Sequence, residues 1–589
     1  METQRLQHNA TFPTHDGVEL FYRYWPAVDA TPESPRKAIV LLHRGHEHSA
    51  RMAHLVDELN LPDFAFFAWD ARGHGHSPGE RGDSPSFAAS VRDVDDFVSF
   101  IQREHGIAIE EIAVVAQSVG AVLAATWAHD YAPRIRCMVL ASPAFDINLY
   151  VPLARPGLTL LQKLKGNFFV KSYVRPGMLT HDKARADSYA NDPLIAKAIS
   201  VNQLLGLYEA ADRVVGDAEA IQVPTQLLIS GADFVVKRKP QELFFQRLGT
   251  LQKERHLLPG FYHDTLGEAD RHLAVSKARG FIELLFSQPL SRPELLTADR
   301  IGFTKAEAEG LSTPLPPNSP AGLYWRMTRA SMGLGAKLSA GVKLGFDTGF
   351  DSGSTLDYVY RNKPTGTGAL GRMIDTNYLN SIGWRGIRQR KVHIEELLRE
   401  TLQTLQAEGK PTRIVDIAAG HGRYVLEALQ GLAQRPDSIL LRDYSDLNVS
   451  QGSALIAEKG LADIAQFVKG NAFDPESLAS LDPKPTLAIV SGLYELFGDN
   501  SMVGGSLGGL AQAVEPGGYL IYTGQPWHPQ LQLIARALTS HRDGQPWVMR
   551  RRTQAEMDQL VAAAGFRKVT QRIDQWGIFS VSLAQRVEE

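Results

Sequence analysis

The chain has 589 residues, of which 44% are hydrophobic and 22% charged, with a net charge of -3. One hydrophobic core stops growing near roughly 250–300 residues, so this length calls for two domains. The charge balance lacks the basic signature of a nucleic-acid binder, and the lone cysteine, Cys137, rules out intrachain disulfides and cysteine zinc clusters. Cys137 lies in an apolar run and reads as a buried strand residue. The N-terminus has no apolar secretory segment and no run of roughly eighteen apolar residues occurs, which predicts a cytoplasmic protein.

From about residue 10 to 288, short β-rich runs alternate with helical periodicity: Ala38 to Leu42, Phe64 to Trp69, Ile112 to Val115, Cys137 to Leu140 and Gln226 to Ile229. That alternation predicts a parallel α/β sheet. Between Leu140 and Gln226 lies a mainly helical insertion of about 80 residues, longer than an ordinary connection and read as a cap over about 144–222. Residues 1–288 therefore form the first domain, and the proline-rich stretch 289–320 is expected to be a linker. Residues 321–589 form the second domain, with a helical lead-in over 321–410 and an α/β core over 411–589. The halves share no repeat, so the chain reads as a fusion.

Residues 324–346 carry Arg326, Arg329, Lys337 and Lys343, no acid, and many small and apolar residues. Two readings stand. One is a basic helix making peripheral contact with the inner face of a membrane, and the other is an ordinary helix packing through its glycines.

The run Ile112 to Val115 leads into Ala116-Gln117-Ser118-Val119-Gly120 and then a small-residue helix, the strand, tight turn and helix that expose a nucleophilic serine. An acid and a histidine follow in the order such a site needs: the strand Leu227 to Asp233 ends in the acid, and His263 ends the run that starts at Leu258-Pro259-Gly260. Ser118 then attacks a carbonyl carbon, His263 moves the proton, and Asp233 orients the imidazole. The amides of Val119 and of Gly45, in the loop after Val40 to Leu42, are the expected oxyanion donors.

Residues 43–49, the Asp70-Ala71-Arg72-Gly73-His74-Gly75-His76-Ser77 stretch, the Ser118 turn, Asp233 and Tyr262-His263 together resemble the monoacylglycerol lipase and lysophospholipase branch of the S33-type α/β hydrolases, over about residues 10–285. The resemblance implies carboxylic esters with one acyl chain, reached beneath a helical cap. Three positions depart from the family pattern. Ala116 and Gln117 replace a usual glycine and a common histidine, and Arg44 replaces a glycine near the oxyanion, where it either distorts the hole or offers a cation to an anionic head group. His43, His46 and Glu47 are expected to shape the loop; no metal site is expected.

In the second half, Ile414 to Ile417 is an apolar strand containing Asp416, followed by a turn with Gly420 and Gly422 and then a helix, a place where a ligand approaches backbone. Asp443 ends a second strand, Asn471 and Ala472 follow a third, and a fourth ends at Val490 before Tyr494 and Glu495. This series resembles class I S-adenosylmethionine-dependent methyltransferases, Rossmann-like in fold, over about residues 365–588. The resemblance implies S-adenosylmethionine as cofactor, with Asp416, Gly420 and Gly422 at its methionine end, Asp443 on the ribose (Asp446 is the alternative) and Asn471 with Ala472 beside the adenine. Tyr494 and Glu495 stand where an acceptor is positioned or where side chains simply pack, and His528 is a further candidate.

The sequence thus predicts a bifunctional enzyme, a serine hydrolase of lipid-like esters joined to a methyltransferase with an unidentified, lipid-related acceptor. Its rival is a hydrolase domain disabled at Arg44 that binds acyl ligands and regulates or feeds the methyltransferase.

Overall fold

The structure is a computed structural model that describes residues 4–28, 36–151, 153–542 and 544–587. It divides into two compact units, residues 1–293 and 294–589.

The first unit is built on an eight-stranded sheet. Its strands are β1 (His8–Pro13), β2 (Glu19–Trp25), β3 (Lys37–Leu42), β4 (Phe64–Trp69), β5 (Ile112–Gln117) and β6 (Cys137–Ala141), while β7 (Phe169–Lys171) and β8 (Ala198–Ser200) form a separate pair, and β9 (Thr225–Ser230) and β10 (Lys253–Leu258) complete the sheet. The order is β1-β2-β4-β3-β5-β6-β9-β10, antiparallel through β2 and parallel from β4 onward. Strands β4, β5, β6 and β9 are buried at every residue, which explains why they read as continuous apolar runs rather than alternating ones. The chain turns back at β3: β4 lies on one side of it and β5 on the other. That reversal opens a crevice at the strand ends, and the loop after β3 and the turn after β5 both face it.

Cys137 is buried in β6, and burial pushes its thiol up to about 12, so it is unreactive. The insertion between β6 and β9 folds as the helices Ala154–Lys165, Lys183–Asn191 and Val201–Gly216 with the short β7/β8 pair among them. The two strands are an addition to the mainly helical cap expected.

The second unit carries β11 (Arg413–Asp416), β12 (Ser438–Asp443), β13 (Ala465–Lys469), β14 (Leu487–Val490), β15 (Tyr519–Gly524), β16 (Phe566–Ile573) and β17 (Ser580–Arg586) in the order β13-β12-β11-β14-β15-β17-β16. Five strands are parallel and β17 runs antiparallel between β15 and β16. This mixed sheet is Rossmann-like, and its reversal point lies between β11 and β14. Seven helices precede it, ending in the long helix Ile382–Ala407, whose buried face carries Ile387, Ile394, Leu397 and Leu398.

The expected linker is corrected here. Residues 294–320 fold onto the second unit: Leu295 donates to Gln559 at 2.8 Å, Asn500 donates to Asp299 at 2.9 Å, and the Arg536 guanidinium donates to the carbonyl oxygens of Gly310 and Thr313 at 2.8 and 2.6 Å. The prolines delimit helices instead of loosening the chain, since Pro320 opens the helix Pro320–Gly335 behind the capping hydroxyl of Ser319. The segment 324–346 also divides. In the helix Ala340–Thr348 a Cβ at Gly341 or Gly345 would lie 2.7 Å from Tyr358 or 2.4 Å from Phe350, so glycine packing holds there; at Gly333, in the preceding helix, nothing lies within 4 Å. Among the described residues, no helix is long and apolar enough to cross a membrane.

Two candidate catalytic sites

Ser118 sits between β5 and the helix Val119–Tyr131 at φ 56° and ψ -115°, a backbone conformation costly for a residue with a side chain. The turn is held from both sides. Ser118 N donates to Ala141 O at 2.9 Å, and a Cβ at Gly120 would lie 2.6 Å from Leu42 O, so only glycine lets β3 pass this close.

His263 Nε2 lies 2.8 Å from Ser118 Oγ, and His263 Nδ1 lies 2.8 Å from Asp233 Oδ2. The other Asp233 oxygen accepts from the amides of Val235 and Val236 at 2.7 and 3.0 Å. Burial alone would raise the Asp233 carboxyl, but His263 and these amides outweigh it and hold the carboxyl below its usual range. The acid therefore stays ionised and fixes the ring with Nδ1 protonated and Nε2 free to accept the serine proton. Gly45 and Val119 touch across the crevice, since a Cβ at Gly45 would lie 2.9 Å from Val119 Cγ2. Both line, with Ser118 and His263, a cavity of about 210 Å3 whose far walls are cap and loop side chains such as Leu149, Leu158, Val170, Leu204 and Leu207.

Arg44 does not reach out as a free cation. Its Nε donates to Glu47 Oε2 at 3.0 Å, its Nη2 to Glu47 Oε1 at 2.5 Å, and Asp264 Oδ2 lies 3.6 Å away. Arg185 Nε donates to the same Asp264 oxygen at 2.5 Å. His43 bridges Arg44 O and the Ala71 amide at 2.6 and 3.0 Å, and the carbonyl of His46 accepts from Ala196 at 2.9 Å, so these residues brace the loop.

In the second unit, Asp416 ends β11 with its carboxylate fully buried, accepting from the Tyr424 hydroxyl at 2.5 Å and the Ala418 amide at 3.2 Å. Burial, with Asp443 adding to it, pushes its carboxyl up to about 7. Gly420 and Gly422 follow at φ 59° and 73°, and a Cβ at Gly422 would lie 2.4 Å from Leu441 of β12. Asp443 Oδ2 accepts from the Gly420 amide at 2.9 Å, while Asp446 is exposed and paired with Lys469 at 2.9 Å. Asp443 is thus at the crevice and Asp446 is outside it. Asn471 is exposed, and buried Ala472 beside it lends its carbonyl to Ser506 at 2.6 Å.

Tyr494 and Glu495 point to opposite sides of one 3-10 turn. Tyr494 is buried in the apolar core with its hydroxyl 2.9 Å from Ser506 Oγ, which corrects its candidacy as an acceptor residue. Glu495 instead faces a cavity of about 130 Å3 walled by Trp384, Trp547, Phe579, Met332 and Met549. Its Oε1 accepts from Thr523 at 2.7 Å and lies 3.8 Å from Arg390, and its Oε2 is buried without a partner among the described residues. Arg390 Nε and Gln525 Nε2, in the same cavity wall, are likewise buried and unpartnered, as is Ser491 Oγ at the end of β14. His528 lines this cavity too; burial pushes its ring down to about 3, and its Nδ1 accepts from Gln530 N at 3.0 Å, so the proton of the neutral ring is on Nε2. A ring in that tautomer donates at Nε2 and cannot take a proton there. Sequence reasoning missed Arg390 and Gln525, although Arg390 carried a signal as the charge on the apolar face of Ile382–Ala407.

Comparison with known proteins assigns both halves. Residues 33–270 match the family model described as "Serine aminopeptidase, S33", and residues 278–586 match one described as "Putative methyltransferase". The chain belongs to that methyltransferase family. An S33-type α/β hydrolase domain precedes its methyltransferase domain. The chain is 57% identical over 586 residues to the uncharacterized protein YnbC of Escherichia coli (strain K12), covering 100% of each. The monoglyceride lipase of Rattus norvegicus is 28% identical over 256 residues, covering 42% of this chain and 80% of the lipase. A crystal structure of Paleococcus ferrophilus monoacylglycerol lipase, 23% identical, aligns with 48% of this chain and 99% of its own at a TM-score of 0.40.

Proposed function

We propose that the chain is a bifunctional enzyme, a serine hydrolase of carboxylic esters of monoacylglycerol or lysophospholipid type joined to an S-adenosylmethionine-dependent methyltransferase. The observation that carries the first half is the relay from Asp233 through His263 to Ser118, with its serine at one end of an apolar cavity. Ser118 Oγ bonds to the ester carbonyl carbon as His263 Nε2 takes its proton, and the amides of Gly45 and Val119 stabilise the oxyanion. His263 returns the proton to the leaving alcohol, and water then releases the acid by the same route. The pairing of Arg44 with Glu47 and Asp264 within the protein supports the active hydrolase over the disabled one.

The methyltransferase half suits the cofactor. The turn holding Gly420 and Gly422 lies at the sheet's reversal point, and buried Ser491 Oγ and Arg390 Nε there are left without partners among the described residues. Asp416, Gly420 and Gly422 would hold the amino-acid end, Asp443 the ribose, and Asn471 with Ala472 the adenine; when bound, the group supplies an electrophilic sulfonium methyl. Glu495 Oε2 takes the proton of the acceptor's O–H or N–H, Gln525 and His528 donate to its polar end, and the aromatic walls hold an apolar body. Turnover of p-nitrophenyl esters by the intact chain but not by Ser118→Ala, with calorimetric binding of S-adenosylmethionine and not of NAD, is the expected result. No turnover and no labelling by a fluorophosphonate overturns the first half, and NAD binding in place of S-adenosylmethionine the second.

A further inference from the structure

The helix Pro320–Gly335 is held unusually lightly for a sixteen-residue element, with Gly322 its one buried residue among those described. It is apolar on two opposite sides. At 100° per residue, Leu323, Met327 and Leu334 fall within about 40° of arc, and Met332 with Trp325 lies on the far side. Met332 forms part of the wall of the Glu495 cavity, so the inner stripe is accounted for. The outer stripe is not: Leu323 is 50% exposed, and Met327 and Leu334 are each 65% exposed.

Charge tells what fits that outer stripe. Between Glu309 and Asp347 the chain has no acid at all. Arg326 and Arg329, on the helix, and Lys337 just beyond it lie on one flank of the stripe, and none forms an ion pair with a carboxylate among the described residues; the only side-chain bond of Arg326 is to the Pro317 carbonyl at 2.7 Å. An outward row of large apolar side chains flanked by uncompensated cations is complementary to a surface that is apolar inside and anionic outside. A protein partner of the same footprint would need acids facing apolar groups at a fixed spacing, whereas a lipid surface supplies both without a fixed register.

We propose that the helix Pro320–Gly335 seats the protein on an anionic lipid bilayer and so brings the acceptor cavity beneath Met332 to the bilayer surface. Docking stands on the helix alone; the consequence that the acceptor is a membrane-borne amphiphile rests on the methyltransferase reading. The apolar row inserts to the level of the acyl boundary, and Tyr324, 61% exposed next to it, sits at the interface.

The test is flotation of the full chain with vesicles of phosphatidylglycerol and phosphatidylcholine, against vesicles of phosphatidylcholine alone. Binding to the anionic vesicles that weakens with added salt is expected, falling about a hundredfold when Arg326, Arg329 and Lys337 are all changed to Gln. The triple change Leu323→Ser, Met327→Ser and Leu334→Ser should abolish it. Equal binding to both vesicle types, no binding, or wild-type binding by either triple variant overturns the proposal. So does a dimer in size-exclusion chromatography that the serine variant converts to monomer, which would make the stripe a contact between copies. Calorimetry with S-adenosylmethionine on each variant shows that the fold is intact. Vesicle binding without S-adenosylmethionine binding would refute the methyltransferase reading and leave docking standing.

Discussion

Gln117 Nε2 donates to Asp264 Oδ1 at 3.0 Å, joining the residue before Ser118 to the residue after His263 across 147 positions of sequence. The bond runs beside the 2.8 Å contact between Ser118 and His263, so two neighbouring pairs close the same gap. Gln117 Oε1 also accepts from the Leu266 amide at 2.9 Å. The other Asp264 oxygen receives Arg185 and faces Arg44. Two departures from the family pattern, Arg44 and Gln117, are therefore parts of one buried network.

That network makes the first prediction. Asp264→Asn leaves Arg185 and Arg44 short of a counter-charge and should destabilise the first unit by about 3–5 kcal/mol in urea unfolding. Gln117→Ala removes only neutral bonds and should cost about 1–3 kcal/mol while lowering kcat, because His263 is less firmly placed. Burial raises the Asp264 carboxyl, but Arg185, Arg44 and the hydrogen bonds from Arg185 and Gln117 together hold it well below the carboxylate range. A depressed carboxyl stabilises the fold fully above the unfolded pKa, about 4, and that contribution is lost as pH falls further. Wild-type stability should thus decline below about pH 4 with a steeper slope than Asp264→Asn shows.

Ser118→Ala should reduce ester turnover by about 10⁴–10⁶-fold with little change in melting temperature, and Asp233→Asn by about 10⁴-fold through the wrong imidazole tautomer. Fluorophosphonate labelling checks the two separately. Asp233→Asn retains a slow reaction at Ser118, and Ser118→Ala has none. Equal labelling of wild type and Ser118→Ala would remove Ser118 from its role.

How much of this was legible follows from where each signal is stored. The strands and the Ser118, Asp233, His263 order are local patterns at strand ends, and the sheet sets those ends side by side, so sequence order sufficed. Asp264 was invisible because its partners Gln117, Arg185 and Arg44 come from three distant segments. The Glu495 cavity is assembled from residues between Met332 and Phe579, with no local spacing to betray it. Tyr494 and Glu495 are adjacent, and which of them faces the cavity depends on the rotation of a single turn. The segment 324–346 left two readings open because the helix Pro320–Gly335 has two apolar stripes, one with Met332 in a cavity wall and the other largely exposed. The prolines of 289–320 suggested a linker, yet Pro320 marks a helix start.

With Asp416 at the amino-acid end of the proposed cofactor, binding should depend on pH. Its folded carboxyl, pushed up to about 7 by burial with Asp443 adding to it, is largely protonated below that pH in the free protein. An ammonium group bound beside it favours the ionised form, so binding below about pH 7 must release a proton. Affinity for S-adenosylmethionine should rise with pH up to about 7 and then level off. Calorimetry in buffers of different ionisation heats should show proton release at pH 6 and little at pH 8.5. Asp416→Asn should flatten this profile and weaken binding at neutral pH; an unchanged profile would detach Asp416 from the ligand.

Glu495 and Tyr494 give the sharpest separation between chemistry and packing, since they are neighbours with opposite surroundings. Glu495→Gln keeps the size and the bond from Thr523 but removes the proton acceptor at Oε2, so methyl transfer to an O–H or N–H acceptor should fall about 10²–10⁴-fold with S-adenosylmethionine affinity unchanged. Tyr494→Phe loses the buried bond to Ser506 and should cost about 1 kcal/mol of stability with methyl transfer intact. The acceptor needed for the rate assay comes from labelling cell lipid extracts with methyl-labelled S-adenosylmethionine and the wild-type chain. Should Tyr494→Phe abolish transfer while Glu495→Gln retains it, the proton would leave by another route, and the cavity would not be the acceptor site.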